Sequence, residues 1–513
     1  MTARDFSVSD KLRELPFATN AAISPGKIKS AIISTRKPLS GGPRSVDITG
    51  AISEFYFYES VLSNTFSATL MLVDTGYILP SGSDKIEKKT PKTIDGLQST
   101  SGILNELNVT GGERIDFEVE DNNIAFGPGN IKISGGMYIN RVRDLTNQGL
   151  KDVYAIDLVP AEFISNELTR VTGRYDGPID YSVARIINDV LGLYGDTESK
   201  PLDFIFDRTM YDYNFIGNNR KPLYVCTWLA AKSSPAISSN SNQSMDGHSA
   251  GFLFYQTRDA FNFRSIDSLA KESKENPIVR HFVYNNTGKQ TYHTNKEQFT
   301  DEDNIMEENI LAYTVKKTVD LGKDLALGTY NNRTVFFDFY SMNYRYVKYN
   351  VKEDRLNTLG PNMNLPDEAV RSSPSRYMSR ILDVGALPDG LTSDDQLENW
   401  RANKSSSNFQ ADKIMVQSIM RYNQLFSIRT RVTIPGDFKI KAGDLVDCTF
   451  QDLSNTKEKN LELSGKYIVA KVCHRITPND TFSSLELVKD SMESVTNKYI
   501  ESKLRNLRPT PLF

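Results

Sequence analysis

Residues 464–488 read SGKYIVAKVCHRITPNDTFSSLELV. Side chains alternate around Tyr467, with Ile468, Ala470 and Val472 to one side and Tyr467, Val469 and Lys471 to the other. Pro478, Asn479 and Asp480 supply a turn, and Leu485, Glu486, Leu487 and Val488 a second strand, so the stretch predicts a β-hairpin. Residues 136–159, GMYINRVRDLTNQGLKDVYAIDLV, read the same way, with a turn at Asn147, Gln148 and Gly149. Tyr138 precedes Ile156 by 18 positions, and Tyr467 precedes Leu485 by 18. Without gaps, Gly136, Tyr138, Ile139, Leu158 and Val159 fall on Gly465, Tyr467, Ile468, Leu487 and Val488, and Ile156 and Asp157 on Leu485 and Glu486. Two hairpins of one design suggest that the chain carries one β-domain twice.

The rest of the chain divides around these hairpins. Residues 1–25 are polar. Short strand patterns with frequent turns then run to the first hairpin, as in Phe66, Ala68, Leu70 and Leu72, interrupted by a Lys-, Ser- and Gly-rich loop at 82–106. This indicates a β-barrel or sandwich over residues 1–165. The period changes over 166–300: Asp180 can cap a helix with Val183, Ile186, Ile187 and Val190 on one face, and a second helix contains Trp228. Two strands around Thr257, Arg258 and Asp259 complete a small α/β unit. Residues 301–490 return to strand character, with a long Pro-, Asp- and Ser-rich surface excursion near 352–408 and a short helix around Ile414, Val416, Ile419 and Met420. Residues 491–513 fit an amphipathic helical tail stopped by Pro509 and Pro511.

At 513 residues the chain is long enough for several cores. A net charge of −3 and a pI near 6.0 argue against phosphate-backbone binding. Three cysteines (Cys226, Cys448, Cys473), none in a CxxC pair, exclude a disulfide scaffold. No apolar run approaches membrane-spanning length, and the N-terminal residues lack a signal-peptide core.

The search for chemistry finds no convincing constellation. His248, His281, His293 and His474 form no HxH or HxxxH pair that would bind zinc. Gly247, His248, Ser249, Ala250 and Gly251 match G-x-S-x-G, yet a Ser/Asn-rich stretch precedes the serine and a strand follows, the reverse of a nucleophile elbow. The acidic runs Asp301, Glu302, Asp303 and Glu307, Glu308 read as solvated charge, and Glu118, Glu120 and Asp121 as the wet face of a strand. Cys226 near Trp228 reads as helix-core packing. The expectation is no catalytic residue, no metal site and no cofactor.

The ordered series DVYAIDLVPAEFISNELTRV, DYSVARIINDVLG, RKPLYVCTWLA, GFLFYQTRDAFNFRSIDSL, IPGDFKIKAGDLVDCTF, SGKYIVAKVCHRI and SSLELVKDS resembles the central baseplate hub subunit of contractile-tailed, T-even-type bacteriophages, in patches over residues 130–490. The resemblance implies a mainly β fold with an α/β insert, in which two tail-tube-like antiparallel β-barrel domains are joined by the smaller α/β region. It also implies a structural, non-enzymatic protein of the virion tail baseplate, assembled in the bacterial host cytoplasm. Its expected form is a homotrimeric ring that adapts the sixfold tail tube to the threefold central spike. The partners implied are the central spike protein, tail tube or tube-initiator proteins and baseplate wedge proteins, with tape measure protein in the lumen. Neither sequence-specific nucleic-acid binding nor membrane insertion is expected. The chain ends without hexapeptide-like repeats, so the spike is expected on a separate polypeptide.

Three other readings compete. The same architecture serves bacterial contractile injection or type VI-like secretion systems. A tail-associated peptidoglycan hydrolase would need an Asp/Glu pair. A carbohydrate-binding adhesin would use the aromatic cluster Phe336, Phe337, Phe339 and Tyr340.

Overall fold

The structure, a computed structural model, describes residues 26–36, 45–75, 102–121, 127–147, 151–191, 203–236, 249–284, 309–338, 342–351, 358–363, 365–383, 411–451, 459–477 and 479–492, with short pieces at 79–80, 93–94, 97–98, 123, 385, 392, 394–395 and 398. The acidic runs at 301–308, His248, His293 and the tail beyond residue 492 lie outside them.

The first β unit has six main strands: β1 (Lys27–Ser34), β2 (Ile52–Ser60), β3 (Ser67–Asp74), β4 (Arg114–Glu120), β5 (Met137–Asn147) and β6 (Asp152–Val159). Alternation drives them. In β2, Phe55 and Phe57 are buried while Tyr56 and Tyr58 are half-buried. The strands lie in the order β2-β3-β6-β5-β4-β1 with every neighbour antiparallel. Their buried face, including Phe55, Phe57, Leu70, Phe117 and Ile156, makes one core. Full burial of each such side chain contributes roughly 1.5–3 kcal/mol.

An α/β region follows: α1 (Ala161–Leu168), α2 (Ile179–Arg185), β7 (Asp203–Phe206), α3 (Pro222–Ala230), β8 (Phe252–Gln256), β9 (Ala260–Ser265) and α4 (Ile266–Ala270). Strand β9 pairs parallel with β7 and antiparallel with β8. Its core includes Val183, Ile186, Cys226, Phe254 and Phe263. The helix with Val183 and Ile186 forms where the sequence predicts it, but no side chain caps it; Asp180 instead accepts a hydrogen bond from the Thr209 hydroxyl (2.6 Å).

The second β unit begins earlier than its sequence suggests. Strand β10 (Ile278–Tyr284) lies within the stretch read as α/β insert, yet it joins β11 (Ala312–Lys317), β15 (Ile428–Pro435), β16 (Leu445–Phe450), β17 (Gly465–Ile476) and β18 (Thr481–Lys489). Between β11 and β15 lies an inserted layer: β12 (Asn331–Asp338), β13 (Asn343–Asn350), β14 (Arg376–Ile381) and helix α5 (Ala411–Leu425). The aromatic stretch of β12 and β13 thus builds a separate three-stranded sheet, which β14, from the expected surface excursion, completes. Phe336 packs there against Leu382 and Val416 of α5, so part of the aromatic cluster is core.

The second unit runs β11-β15-β18-β17-β16-β10. Numbered by chain order within each unit, both sheets read 2-3-6-5-4-1. They differ in the first strand, since β1 is antiparallel to β4 while β10 is parallel to β16. In each unit the chain ahead of the second strand also pairs with the first strand: residues 45–47 run antiparallel to residues 32–34 in one, and Asn309 bridges Val283 in the other. Ile48 donates to Ala31 (2.8 Å) in one and Ile310 to Val283 (2.9 Å) in the other.

The structure corrects the register of the hairpin echo. A β-bulge interrupts β5 between Ile139 and Arg141, and another interrupts β17 between Val469 and Lys471. Aligned on the bulges, Ile139 matches Val469 and Arg141 matches Lys471, one residue away from the gapless alignment. The second strands keep the expected match, with Asp157 on Glu486 and Leu158 on Leu487. Because a bulge adds one residue to one strand, it also reverses the alternation. Val472 therefore shares a core with Tyr467 and Val469, while Ile468 and Ala470 face another.

Candidate functional site: the joint between the β units

The equivalence extends to the turn before each fourth strand. Gly112 donates to the Ile139 carbonyl and Ile139 to Glu113; Gly443 donates to Val469 and Val469 to Asp444. Both glycines have positive φ, 86° and 93°, which a residue without Cβ adopts at little cost. The Glu113 carboxylate accepts the Thr110 N–H (2.8 Å), and Asp444 accepts the Lys441 N–H (2.8 Å). The ion pair across the hairpin repeats as well: Arg141 meets Asp157 at 2.7 Å, and Lys471 meets Glu486 at 3.3 Å.

The two units are hydrogen-bonded to each other through β17. Before its bulge this strand pairs with β16; beyond it, residues 471–476 leave β16 and pair antiparallel with residues 55–60 of β2. A sheet of fifteen strands results, running through both units. Twelve residues make β17 long enough to serve both neighbours.

Buried polar groups hold this joint. The Glu59 carboxylate, at 2% exposure, accepts the backbone N–H groups of Arg258 (2.9 Å) and Ala442 (3.2 Å). It thereby ties the first unit, the α/β region and the second unit together. Burial raises its pKa, against the opposing charge of Arg258. The Arg258 guanidinium donates to the Phe438 carbonyl. Asp121 accepts from Asn123 (3.0 Å), Gly129 (2.7 Å) and Phe438 (2.6 Å), and burial raises its pKa too. Phe438 and Ile476, from the second unit, lie in the first unit's core.

His474 sits between them with no exposed surface, its ring 4.9 Å from that of Phe438. Its Nε2 lies 3.1 Å from the Ile440 carbonyl and must donate, so Nδ1 accepts from the Ser483 hydroxyl at 2.8 Å. Burial, with Arg258 nearby, lowers its pKa well below the usual value and keeps the ring neutral. Glu59, Asp121, Arg258 and His474 each bond to a partner across or beside the joint.

The candidates singled out in the sequence are scattered. The Ser249 hydroxyl is buried and donates to Asp267 (2.7 Å), and β8 follows directly. Glu118 and Glu120 form ion pairs with Lys29 and Lys132 on the strand face, whereas Asp121 is buried in the joint rather than wet. Cys226 is fully buried, and burial pushes its thiol up. His281 is exposed, 3.3 Å from Asp447. Among the described residues, no three His, Cys, Asp or Glu side chains converge as a metal cluster, and no helix is long and apolar enough to cross a membrane. Glu59 and Arg258 escape a sequence search because one is a lone acid in a strand and the other a turn residue.

No family model matches the chain. It is 23% identical over 317 residues to the probable baseplate hub protein gp334 of Vibrio phage KVP40, a match covering 61% of this chain and 67% of that protein. Among solved structures, a tail protein from Neisseria meningitidis MC58 aligns with TM-score 0.43 and 8% identity, over 90% of this chain and 97% of that one. The 43 kDa tail protein of prophage MuSo2 from Shewanella oneidensis aligns with TM-score 0.43 and 10% identity, over 91% and 99%. TM-scores of this size are too low to establish a common fold, so the relationship rests on the sequence match. In sequence, this chain is similar to a phage baseplate hub protein.

Proposed function

We propose that the protein is the structural hub of a contractile phage tail baseplate, a homotrimeric ring that adapts a sixfold tail tube to a threefold central spike. One observation carries this reading: each chain holds two six-strand units of the same strand order, hydrogen-bonded to each other through the far end of β17 and the edge strand β2. Three copies present six similar units, so one surface of the ring has near-sixfold character while its true symmetry is threefold. The repeated turns, bulges and ion pairs support the duplication on which this depends.

In this reading the spike and the wedge proteins bind the ring as separate chains, and the chain performs no catalysis. Its location is the virion, after assembly in the host cytoplasm. The second β unit starts at Ile278 in this division, and the inserted layer of β12, β13, β14 and α5 is an elaboration outside the repeated strands.

Light scattering on the purified protein, alone and with its co-expressed spike, tests the ring. A species of three times 57.8 kDa in either condition is expected. A strict monomer in both would overturn the proposal.

A further inference from the structure

The repeat assigns a partner to an edge that a single chain leaves open. In the second unit, β17 past its bulge pairs with β2, the second strand of the first unit. The equivalent part of β5 is residues 141–147. On the side away from β6, strand pairing of β5 among the described residues stops at Met137 and Tyr138, with Ile139 bonded to Gly112 and Glu113. The counterpart of β2 is β11. It pairs with β15 along one side, and among the described residues no strand pairs with its other side.

Exposure follows the same division. Residues 471–476 of β17 are buried or half-buried throughout, while Arg141, Asp144, Leu145, Thr146 and Asn147 of β5 are exposed, Leu145 by 62%. An open edge with an exposed leucine is a template for strand addition, here interrupted at Asp144, whose φ of 57° departs from extended backbone.

We propose that residues 143–147 of β5 in one copy pair antiparallel with residues 313–317 of β11 in a second copy, reproducing between chains the joint that β17 and β2 make within one. The proposal rests on the ring reading and deepens it by naming the contact. Such an interface is heterologous, each copy offering β5 on one side and β11 on the other, so that closure depends on rotation from copy to copy. Inside the chain second-unit β17 meets first-unit β2; between chains first-unit β5 meets second-unit β11. The two unit types then alternate around the ring. A second bulge in β5, between Arg143 and Thr146, has no counterpart in β17, so segments rather than single residues are matched.

The test uses full-length chains. Leu145→Asp places a charge on the β5 edge, and Thr314→Asp does the same on β11, both at exposed positions. Each variant is expected to weaken association at least tenfold while keeping the wild-type circular dichroism and melting profile of the isolated chain. An equimolar mixture of the two retains one intact pair of edges and is expected to form 1:1 dimers and nothing larger. If both variants still form trimers, this interface is overturned while the ring survives. If the wild type is monomeric alone and with its spike, ring and interface fall together. If a variant loses the wild-type dichroism, Leu145→Ser or Thr314→Lys replaces it, and retained trimers there count equally against the proposal.

Discussion

The two β units share a strand order and place their insertions differently. In the first, second and third strands are linked by residues 61–66, and the long connection, 75–113, falls between third and fourth. In the second, the connection at that point is 436–444, and residues 318–427 intervene between second and third strands. Both insertions leave the ladder where a strand ends, so neither removes a cross-strand hydrogen bond. A sheet tolerates added chain at its turns because loop closure grows costlier only slowly with length. The outer side of the fifth strand also differs, covered in the second unit and open in the first.

The largest expected effect concerns what anchors the second unit's insertion. Arg421 of α5, 1% exposed, donates to Asp490 at 2.6 Å just past β18 and lies 3.6 Å from Asp267 of the α/β region. Arg421→Ala leaves buried carboxylates without their cation and is expected to cost about 3–5 kcal/mol in urea unfolding. A loss below about 1 kcal/mol would mean that apolar packing alone holds the insertion.

The paired turn glycines sharpen the comparison. A Cβ on Gly443 would come within 2.0 Å of the hydroxyl of Tyr255, which is itself buried. Gly443→Ala therefore combines left-handed strain with a clash and is expected to cost about 2–3 kcal/mol, more than the roughly 1 kcal/mol of left-handed strain alone. A loss of only about 1 kcal/mol would show that Tyr255 moves aside freely.

The smallest effect depends on pH. Burial raises the Asp444 carboxyl to about 6, although the Lys441 N–H and charge oppose it. A carboxyl in an unfolded chain titrates near pH 4. Between those values the folded state binds the extra proton, so stability from this group rises as pH falls through 6 and levels off below 4. Asp444→Asn removes that dependence. Wild type should gain on the variant by about 1 kcal/mol between pH 7 and pH 5, measured as urea midpoints at each pH. A constant difference would show that Asp444 does not titrate in this range.

Much of the second unit was legible because its strands obey local rules. The Ala442-Gly443-Asp444 turn, the 465–476 strand and its partner announce themselves through alternation and turn residues. The duplication was legible too, since Asp157 and Glu486 stand at matching places and hold matching cations. The one-residue slip between Ile139 and Val469 was not, because a bulge changes register without a characteristic residue type. The buried role of Asp121 was hidden for a related reason: three backbone N–H groups, one of them from Phe438, satisfy it only after the chain has folded.

The sequence by itself determined the hairpin character of residues 136–159 and 464–488, the change of period over 166–300, and the resemblance to baseplate hub proteins. Period, turn chemistry and residue matches are local properties, readable without knowing what lies across the sheet. Tertiary structure decided which strands adjoin, that β10 belongs to the second unit, that the aromatic stretch forms its own layer, and that β17 crosses from one unit to the other. Edge pairing is made by backbone groups that every residue carries, so side-chain identity does not announce it.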